Sequence, residues 1–253
     1  MKNILKILEK DNPYDKITDL YNSGELLHIS PELCNLYSDE EGYKNNFTHT
    51  MLVLKNVCEL KNDYKLKLVA LLHDIGKPST KRYDDKKGWT FYNHEKVGAD
   101  MSINILKNWG VTDRQLIDYV YRMIMYHGRI KIGRNSNESA IRRLDKEVGK
   151  DIIFDLIDFA KCDMTTKFQD KKLRIISFLD ELKEKIIKVR QIDEDAKWKS
   201  PLTGNLIMEL LDIGEGREIG LIKKELDSKL KSNEITLDDA IQYINENKSK
   251  WIN

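Results

Sequence analysis

Apolar residues recur at helical spacing along nearly the whole chain. Residues three and four positions apart share one face of an α-helix, so this spacing predicts helices that bury one side. The predicted helices span residues 3–10, 14–23, 48–61, 64–74, 94–108, 113–127, 137–147, 150–168, 171–194, 203–211, 216–231 and 236–247. Only 4 prolines and 13 glycines occur in 253 residues, which also favours long helices over a turn-rich β-fold. The sequence therefore predicts an all-α protein.

Two segments depart from helical spacing. Residues 81–94 alternate aromatic and polar side chains around a turn-forming Asp-Lys-Lys-Gly run, which favours a short hairpin or an ordered loop. Residues 128–137 are basic and begin with glycine, and we expect a second loop there.

The pattern also predicts a division of the chain into a large and a small part. The long charged helix ends near Asp195 and is followed by a Lys-Ser-Pro run, which is typical of a helix boundary. Beyond this run, apolar spacing predicts further short helices. We therefore expect a helical domain at residues 1–195 and a small helical C-terminal extension at residues 196–253.

Charge and cysteine content exclude several classes of protein. The 43 basic and 42 acidic side chains nearly cancel, which gives no support for a nucleic-acid binder that acts through bulk charge. Cys34, Cys58 and Cys162 are far apart, which argues against a disulfide framework and a zinc–thiolate site. The opening segment MKNILKILEKDNPY lacks the apolar core of a signal peptide, and no run of about 18 apolar residues occurs. We therefore expect a cytoplasmic protein with no membrane partner.

Four of the five histidines fall in the apolar stripes of predicted helices. These four are His49, His73, His94 and His127. His49, for example, shares its predicted face with Leu52, Val53 and Leu60. The fifth, His28, has no neighbouring candidate ligand. A scattered histidine is usually a surface or core residue, but four that point inward predict a common site.

Two aspartates are also predicted to point inward. Asp74 directly follows His73 at the end of the most apolar helix, in KLVALLHDIG. Asp163 falls at the centre of the apolar stripe of the helix predicted at 150–168, whereas Asp155 and Asp158 flank this stripe and are expected to be solvated.

Together these residues form a set of six nitrogen and oxygen donors without a thiolate. Unpaired buried carboxylates are costly and tend to bind metals, and such a set suits Mn, Fe, Co, Ni, Zn or Mg. Six donors are about the number that two ions bridged by a carboxylate require, an arrangement used in phosphoryl displacement. The alternative is a chance set of inward polar residues with a purely structural role.

The order His49, His73-Asp74, His94, His127, Asp163 resembles the HD superfamily of metal-dependent phosphohydrolases. The segments FTHTMLVLKNV, VALLHDIGKPST and GWTFYNHEKVGAD resemble the HD region of bacterial CCA-adding tRNA nucleotidyltransferases, over residues 25–170. SPLTGNLIMELLDIGEGREIG resembles the segment that follows it there. The β-rich nucleotide-adding head of that family has no counterpart in this sequence, so we do not expect CCA addition by this chain alone.

The resemblance implies an HD-domain helical bundle and a pair of divalent transition-metal ions, Mn, Fe, Ni or Co, with Mg also compatible. It implies one ion on His49, His73, Asp74 and Asp163. It implies the second ion on Asp74, His94 and His127, which makes Asp74 the bridging ligand and a catalytic residue.

Basic residues near these ligands are candidates for substrate binding. Lys77 follows Asp74 by three residues, and its ammonium group is predicted to bind a phosphoryl oxygen and stabilise developing charge. We also expect a basic rim that attracts phosphate, formed by Arg129, Lys131, Lys81 and Arg82. The alternative for each is an ordinary solvated charge.

The leading functional prediction is hydrolysis of phosphomonoester or 2′,3′-cyclic phosphate bonds in nucleotides or RNA ends, with tRNA among the candidate substrates. Dinucleoside polyphosphates are also compatible. Two alternatives stay open at this stage. One is a catalytically weak RNA-binding or partner-binding module, and the other is a one-metal nucleotidase in which His94 and His127 bind substrate.

Overall fold

The structure is a computed structural model that describes residues 4–37, 45–130, 137–166 and 168–252. The helices of the first part are α1 (Ile4–Leu8), α2 (Pro13–Asn22), α3 (Leu26–Ile29), α4 (Pro31–Cys34), α5 (Asn46–Leu60), α6 (Tyr64–Leu72), α7 (Lys77–Thr80), α8 (His94–Asn108), α9 (Arg114–Tyr126), α10 (Glu138–Val148), α11 (Ile153–Asp163) and α12 (Gln169–Lys197). The helices that follow are α13 (Gly204–Leu211), α14 (Arg217–Lys231), α15 (Leu237–Glu246) and α16 (Lys248–Trp251). The all-α prediction is confirmed.

Each predicted helix is present in the structure, and the largest difference in bounds is at α11, which spans Ile153–Asp163 instead of residues 150–168. Four helices that the pattern did not predict, α3, α4, α7 and α16, have only four residues each. One turn of helix is too short to show an apolar period. The loop predicted at 128–137 lies largely outside the described residues, and its first residues belong to a 3₁₀ turn at His127–Ile130.

The segment between α7 and α8 forms a hairpin, which is one of the two alternatives predicted for it. Strand β1 (Arg82–Asp84) pairs antiparallel with β2 (Gly88–Thr90). The side chain of Asp84 accepts hydrogen bonds from the backbone of the two turn lysines, and Gly88 has a φ of +72°. This is the left-handed region that glycine adopts without steric cost, so Gly88 closes the turn.

Side-chain caps mark the start of four helices of the first part. Asn45, Asp63, Asp113 and Asn137 each accept a backbone N–H from the first turn of α5, α6, α9 and α10, respectively. Such a cap stabilises a helix by about 1 kcal/mol. The caps therefore help to set the helical phase, and with it the direction in which later side chains point.

Helix α6 is the centre of the larger core. Its residues 68–72 are completely buried, and it packs against α5, α9 and α11. A buried lysine, Lys67, joins α6 to the start of the chain, because its ammonium group donates to the carbonyl oxygens of Leu8 at 3.0 Å and Lys10 at 2.8 Å. This contact satisfies carbonyl groups at the end of α1 that lack a helical partner.

The predicted apolar face around His49 is only partly correct. Val53 is fully buried, but Leu52 and Leu60 are 46% and 49% exposed. The centre of the buried face lies near Val57, about 80° around the helix from His49, so His49 is at the edge of that face. Leu52 lies beyond that edge, and Leu60 is the last residue of α5.

The described chain divides into two compact units, Met1–Val189 and Arg190–Asn253. In the second unit, α13 packs against α14 and α15 around a core that includes Ile207, Ile222 and Ile244. The domain boundary at residue 195 stays a prediction. None of the described helices is both long and apolar enough to cross a membrane.

Candidate metal centre

The six predicted ligands lie together, and each is at or near the end of a helix. His49 is in the first turn of α5, His73 and Asp74 follow α6, His94 begins α8, His127 follows α9, and Asp163 ends α11. Five helices thus converge at one buried place in the first unit. His49, His73 and Asp74 are each at most 5% exposed.

Three of the donors form a first group. The Nε2 atom of His49 lies 2.9 Å from Oδ1 of Asp163 and 3.4 Å from Nε2 of His73. The distance from Nε2 of His73 to the same Asp163 oxygen is 3.6 Å. Donors that share one ion at about 2.1 Å lie roughly 3.0 to 3.4 Å apart, so this group has the dimensions of a metal site.

Asp74, His94 and His127 form a second group. Oδ1 of Asp74 lies 3.7 Å from Nε2 of His94 and 3.9 Å from Nε2 of His127. The other oxygen of Asp74, Oδ2, faces the first group, at 3.3 Å from Nε2 of His73 and 3.7 Å from Nε2 of His49. Asp74 therefore directs one oxygen to each group, as a bridging carboxylate does.

Backbone carbonyl groups orient three of the imidazole rings. Nδ1 of His73, His94 and His127 lies within 2.6–2.9 Å of the carbonyl oxygen three residues earlier. A carbonyl oxygen can only accept, so the proton of each neutral ring is on Nδ1 and the lone pair is on Nε2. This arrangement fixes the tautomer that binds metals and directs Nε2 to the centre.

The chemistry of this donor set fits a divalent cation. The lone pair of His73 Nε2 faces oxygen atoms of both Asp74 and Asp163. Oδ1 of Asp163 is buried and accepts no hydrogen bond from the described residues. A proton on Nε2 of His73 could be donated to only one oxygen at a time, whereas a cation among these atoms would interact with all of them.

The electrostatics of the centre keep His49, His127 and Asp74 in the protonation states that ligation needs, whereas at His73 the adjacent Asp74 outweighs burial and raises the pKa of the imidazole. Burial, together with the nearby His73, lowers the pKa of His127 to about 4, and burial lowers the pKa of His49. Burial alone would raise the pKa of Asp74, but His73 and Lys77 outweigh it and hold that pKa well below its ordinary value. The two imidazoles are therefore neutral and the carboxylate is ionised near pH 7, as ligation requires.

A close backbone contact holds His94 beside Asp74. A Cβ atom at Gly76 would lie 2.3 Å from the carbonyl oxygen of His94 and 2.6 Å from the backbone nitrogen of Gly98. Only glycine allows the turn after Asp74 to approach the first turn of α8 so closely. Gly76 therefore sets the distance between two ligands of the second group.

The predicted substrate-binding residues have different surroundings. Nζ of Lys77 lies 2.6 Å from Oδ2 of Asp74, directly beside the ligand set, and its side chain is 20% exposed. Arg129 pairs with Glu147 at 3.0 Å and is otherwise open to solvent. Lys81 lies 4.2 Å from the centre of the Trp89 ring in the hairpin. Lys131 lies outside the described residues.

Two residues near the ligands escaped the sequence analysis. Thr165 places its hydroxyl 3.0 Å from Nδ1 of His49, and a carboxylate oxygen of Glu95 lies 3.2 Å from Nδ1 of His94. Each is within two residues of a predicted ligand, and that proximity in sequence was the available signal. Partners of this kind hold the ring of a metal-binding histidine in place.

The expectation that Asp155 and Asp158 are solvated is wrong. Asp158 is only 7% exposed and pairs with Lys61 at 2.8 Å. Asp155 pairs with the same lysine at 2.9 Å and accepts a hydrogen bond from the Tyr119 hydroxyl at 3.0 Å. These flanking positions are covered by the side chains of Lys61, the residue after α5, and Tyr119 of α9. These aspartates are part of an ion-pair network, apart from the six donors.

Comparisons with known proteins agree with this geometry. The HD domain family matches residues 46–183. A CC-adding tRNA nucleotidyltransferase of Thermus thermophilus is 27% identical over 205 residues, which cover 78% of this chain and 44% of that protein. A multifunctional CCA protein of Teredinibacter turnerae is 27% identical over 132 residues, which cover 50% of this chain and 31% of that protein. The chain thus spans less than half the length of these curated relatives.

Proposed function

The chain belongs to the HD domain family of metal-dependent phosphohydrolases, and from this premise we propose that it hydrolyses phosphate esters with two divalent cations. The proposed bonds are phosphomonoester and 2′,3′-cyclic phosphate bonds in nucleotides or at RNA ends. The proposed ions are Mn, Fe, Ni or Co, with Mg also compatible, because imidazole and carboxylate donors bind all of these.

The placement of Asp74 carries the two-ion proposal. Its two oxygens face different groups of donors, at 3.3 Å from His73 and 3.7 Å from His94. A single ion would need only one oxygen of Asp74, whereas the two oxygens of this fully buried carboxylate face separate pairs of imidazoles. We therefore assign the first ion to His49, His73, Asp74 and Asp163, and the second to Asp74, His94 and His127.

The chain's own residues have three tasks in this proposal. Bound divalent ions supply Lewis-acid charge and a nucleophile at neutral pH. The carbonyl-bonded histidines keep their Nε2 atoms directed at the centre, and Asp74 holds the two groups at a fixed separation. Lys77 lies within contact of Asp74 and is assigned to a phosphoryl oxygen, where its ammonium group stabilises negative charge as the bond breaks.

A cleft formed in part by residues next to His94 and His127 in the sequence is large enough for a nucleotide, and the six ligands are not among the residues that line it. Its volume is about 510 Å³, and it is lined by neighbours of His94 and His127, among them Asn93, Glu95, Tyr126 and Arg129. Small-molecule sites typically measure about 300 to 1,000 Å³. We assign Arg129 to substrate binding here, with its guanidinium held at the cleft by Glu147.

The relatives support RNA ends and nucleotides as the substrate class. The two reported relatives are named for tRNA nucleotide addition and for CCA synthesis, and the match of the first extends over 78% of this chain. An HD hydrolase that shares so much of its length with tRNA enzymes is well suited to act on the phosphorylated end of an RNA, tRNA included.

Metal analysis combined with a hydrolysis screen tests this proposal. The purified full-length chain should contain close to two transition-metal ions. It should hydrolyse p-nitrophenyl phosphate, 2′,3′-cyclic nucleotides or RNA with a terminal phosphate. A chelator should abolish turnover, and Mn or Ni should restore it. Turnover that survives complete removal of metal, or a chain that saturates with one ion while fully active, would refute the two-ion proposal.

A further inference from the structure

The β1–β2 hairpin carries aromatic side chains on one of its faces. Tyr83 and Trp89 are cross-strand partners, and their rings meet edge to face with centroids 5.1 Å apart. Phe91 lies two residues after Trp89, directly beyond the end of β2. We name Lys81, Tyr83, Trp89 and Phe91 the hairpin face. Tyr83 is 64% exposed, so its ring is accessible to a ligand.

Lysine side chains alternate with these rings. Nζ of Lys81 lies 4.2 Å from the centre of the Trp89 ring, and Nζ of Lys77 lies 5.8 Å from the centre of the Phe91 ring. The twelve residues 81–92 contain four basic and two acidic side chains, so the hairpin is positive although the whole chain is nearly neutral. One of the acids, Asp84, has a carboxylate oxygen bonded to the turn backbone.

The hairpin face is attached to the metal centre at its Phe91 end. The carbonyl oxygen of Phe91 accepts from the backbone N–H of His94 and lies 2.8 Å from its Nδ1. Lys77, whose ammonium group is near the Phe91 ring, also contacts Asp74 at 2.6 Å. From Phe91 the face extends to Trp89 and Tyr83, about 7 Å along the strand.

We infer that the hairpin face binds the single-stranded end of an RNA whose terminal phosphate is at the metal centre. Aromatic rings that stack on bases, combined with cations along the backbone path, are what sequence-tolerant single-strand binding requires. The inference rests on the proposed function, because it extends the substrate from the reacting phosphate to the nucleotides next to it. A base-paired end exposes only the outer face of its terminal pair, so we expect it to bind less tightly than a single strand.

Binding and turnover are measured separately to test this inference. Fluorescence anisotropy with a labelled single-stranded hexanucleotide that ends in a phosphate should show binding by the full-length chain. A duplex of the same sequence should bind less tightly. Tyr83→Ala should weaken binding of the single strand about tenfold, in line with the loss of one stacked base. Its metal content and its turnover of p-nitrophenyl phosphate should not change.

Tyr92 provides a matched control. It is 65% exposed, nearly the same as Tyr83, but its hydroxyl accepts from Lys87 and it lies outside the hairpin face. Tyr92→Ala should therefore bind RNA like the wild type. If Tyr83→Ala loosens the hairpin, as circular dichroism and melting would show, Lys81→Gln replaces it and should weaken binding while preserving the Tyr83–Trp89 pair.

Equal binding by the wild type, Tyr83→Ala and Lys81→Gln would overturn the inference, as would a duplex that binds as tightly as the single strand. These failures differ from failure of the proposed function. A chain that hydrolyses p-nitrophenyl phosphate but binds no single strand would refute only the hairpin face. A chain that binds the single strand through Tyr83 but hydrolyses no phosphate ester would refute only the hydrolase.

Discussion

The contact between Gly76 and the first turn of α8 gives the sharpest test of how the fold sets the metal centre. Gly76→Ala adds one methyl group at the turn after Asp74. That group would lie 2.3 Å from the carbonyl oxygen of His94 and 2.6 Å from the nitrogen of Gly98. Both are backbone atoms that no side-chain rotation can move away.

The size of the effect follows from these distances. To restore an ordinary contact of about 3.4 Å, the turn and α8 must separate by about 1 Å. His94 begins α8, so its Nε2 moves away from Oδ1 of Asp74, which is now 3.7 Å distant. We expect the variant to lose about 1 to 3 kcal/mol of stability through overpacking. Activity should fall about 100-fold, because a displacement of 1 Å spoils catalytic geometry.

The assay combines thermal unfolding, elemental analysis and turnover of p-nitrophenyl phosphate. Gly76→Ala should retain the ion of the first group and lose that of the second. Gly220→Ala is the control, because a Cβ there meets no atom within 4 Å in the exposed face of α14. It should stabilise the chain by about 0.5 to 1 kcal/mol without affecting metal. If Gly76→Ala keeps wild-type stability, two ions and full activity, the proposed positioning of His94 is wrong.

Three further predictions concern single side chains. Asp74→Ala should lose both ions and nearly all turnover, whereas His94→Ala should lose one ion and keep its fold. Elemental analysis and circular dichroism distinguish the two variants. Equal metal loss in both would argue against Asp74 as the bridging ligand. Lys77→Met should keep both ions but lower kcat about 100-fold, and an unchanged kcat would remove Lys77 from the mechanism. Lys67→Met should lower the free energy of unfolding, measured in urea, by about 1 to 3 kcal/mol, because it leaves two carbonyl groups without their donor. Its metal content should not change. Unaltered stability would show that Lys67 does not satisfy these carbonyl groups.

Helical phase in the sequence was enough to identify the candidate ligands. An α-helix turns 100° per residue, so the apolar stripe of each segment shows which polar residues point inward. All six donors predicted in this way lie together in the structure, and the resemblance to the HD superfamily is confirmed by the family match. The hairpin at 81–94 was likewise predictable, because alternating residues around a glycine turn leave few other arrangements.

The apolar spacing within one helix does not show which neighbouring segment covers its flanks. The predictions that are wrong concern residues whose burial depends on such a segment. Leu52 lies beyond the edge of the buried face of α5 and is exposed, whereas Asp158 flanks the apolar stripe of α11 and is buried, paired with Lys61, the residue after α5. Burial at the edge of a stripe depends on how two helices cross, and packing of distant segments decides that crossing.

The sequence alone determined an all-helical chain with six inward donors and a hairpin between two of them. The family resemblance implied how those donors divide into two groups, but only the tertiary structure shows their distances, with one oxygen of Asp74 facing each group. That division depends on distances between helix ends, and these are set by contacts such as Gly76 against Gly98, which are far apart in sequence. Local pattern fixes the direction of a side chain along its own helix, whereas its distance from another helix exists only once the chain is packed.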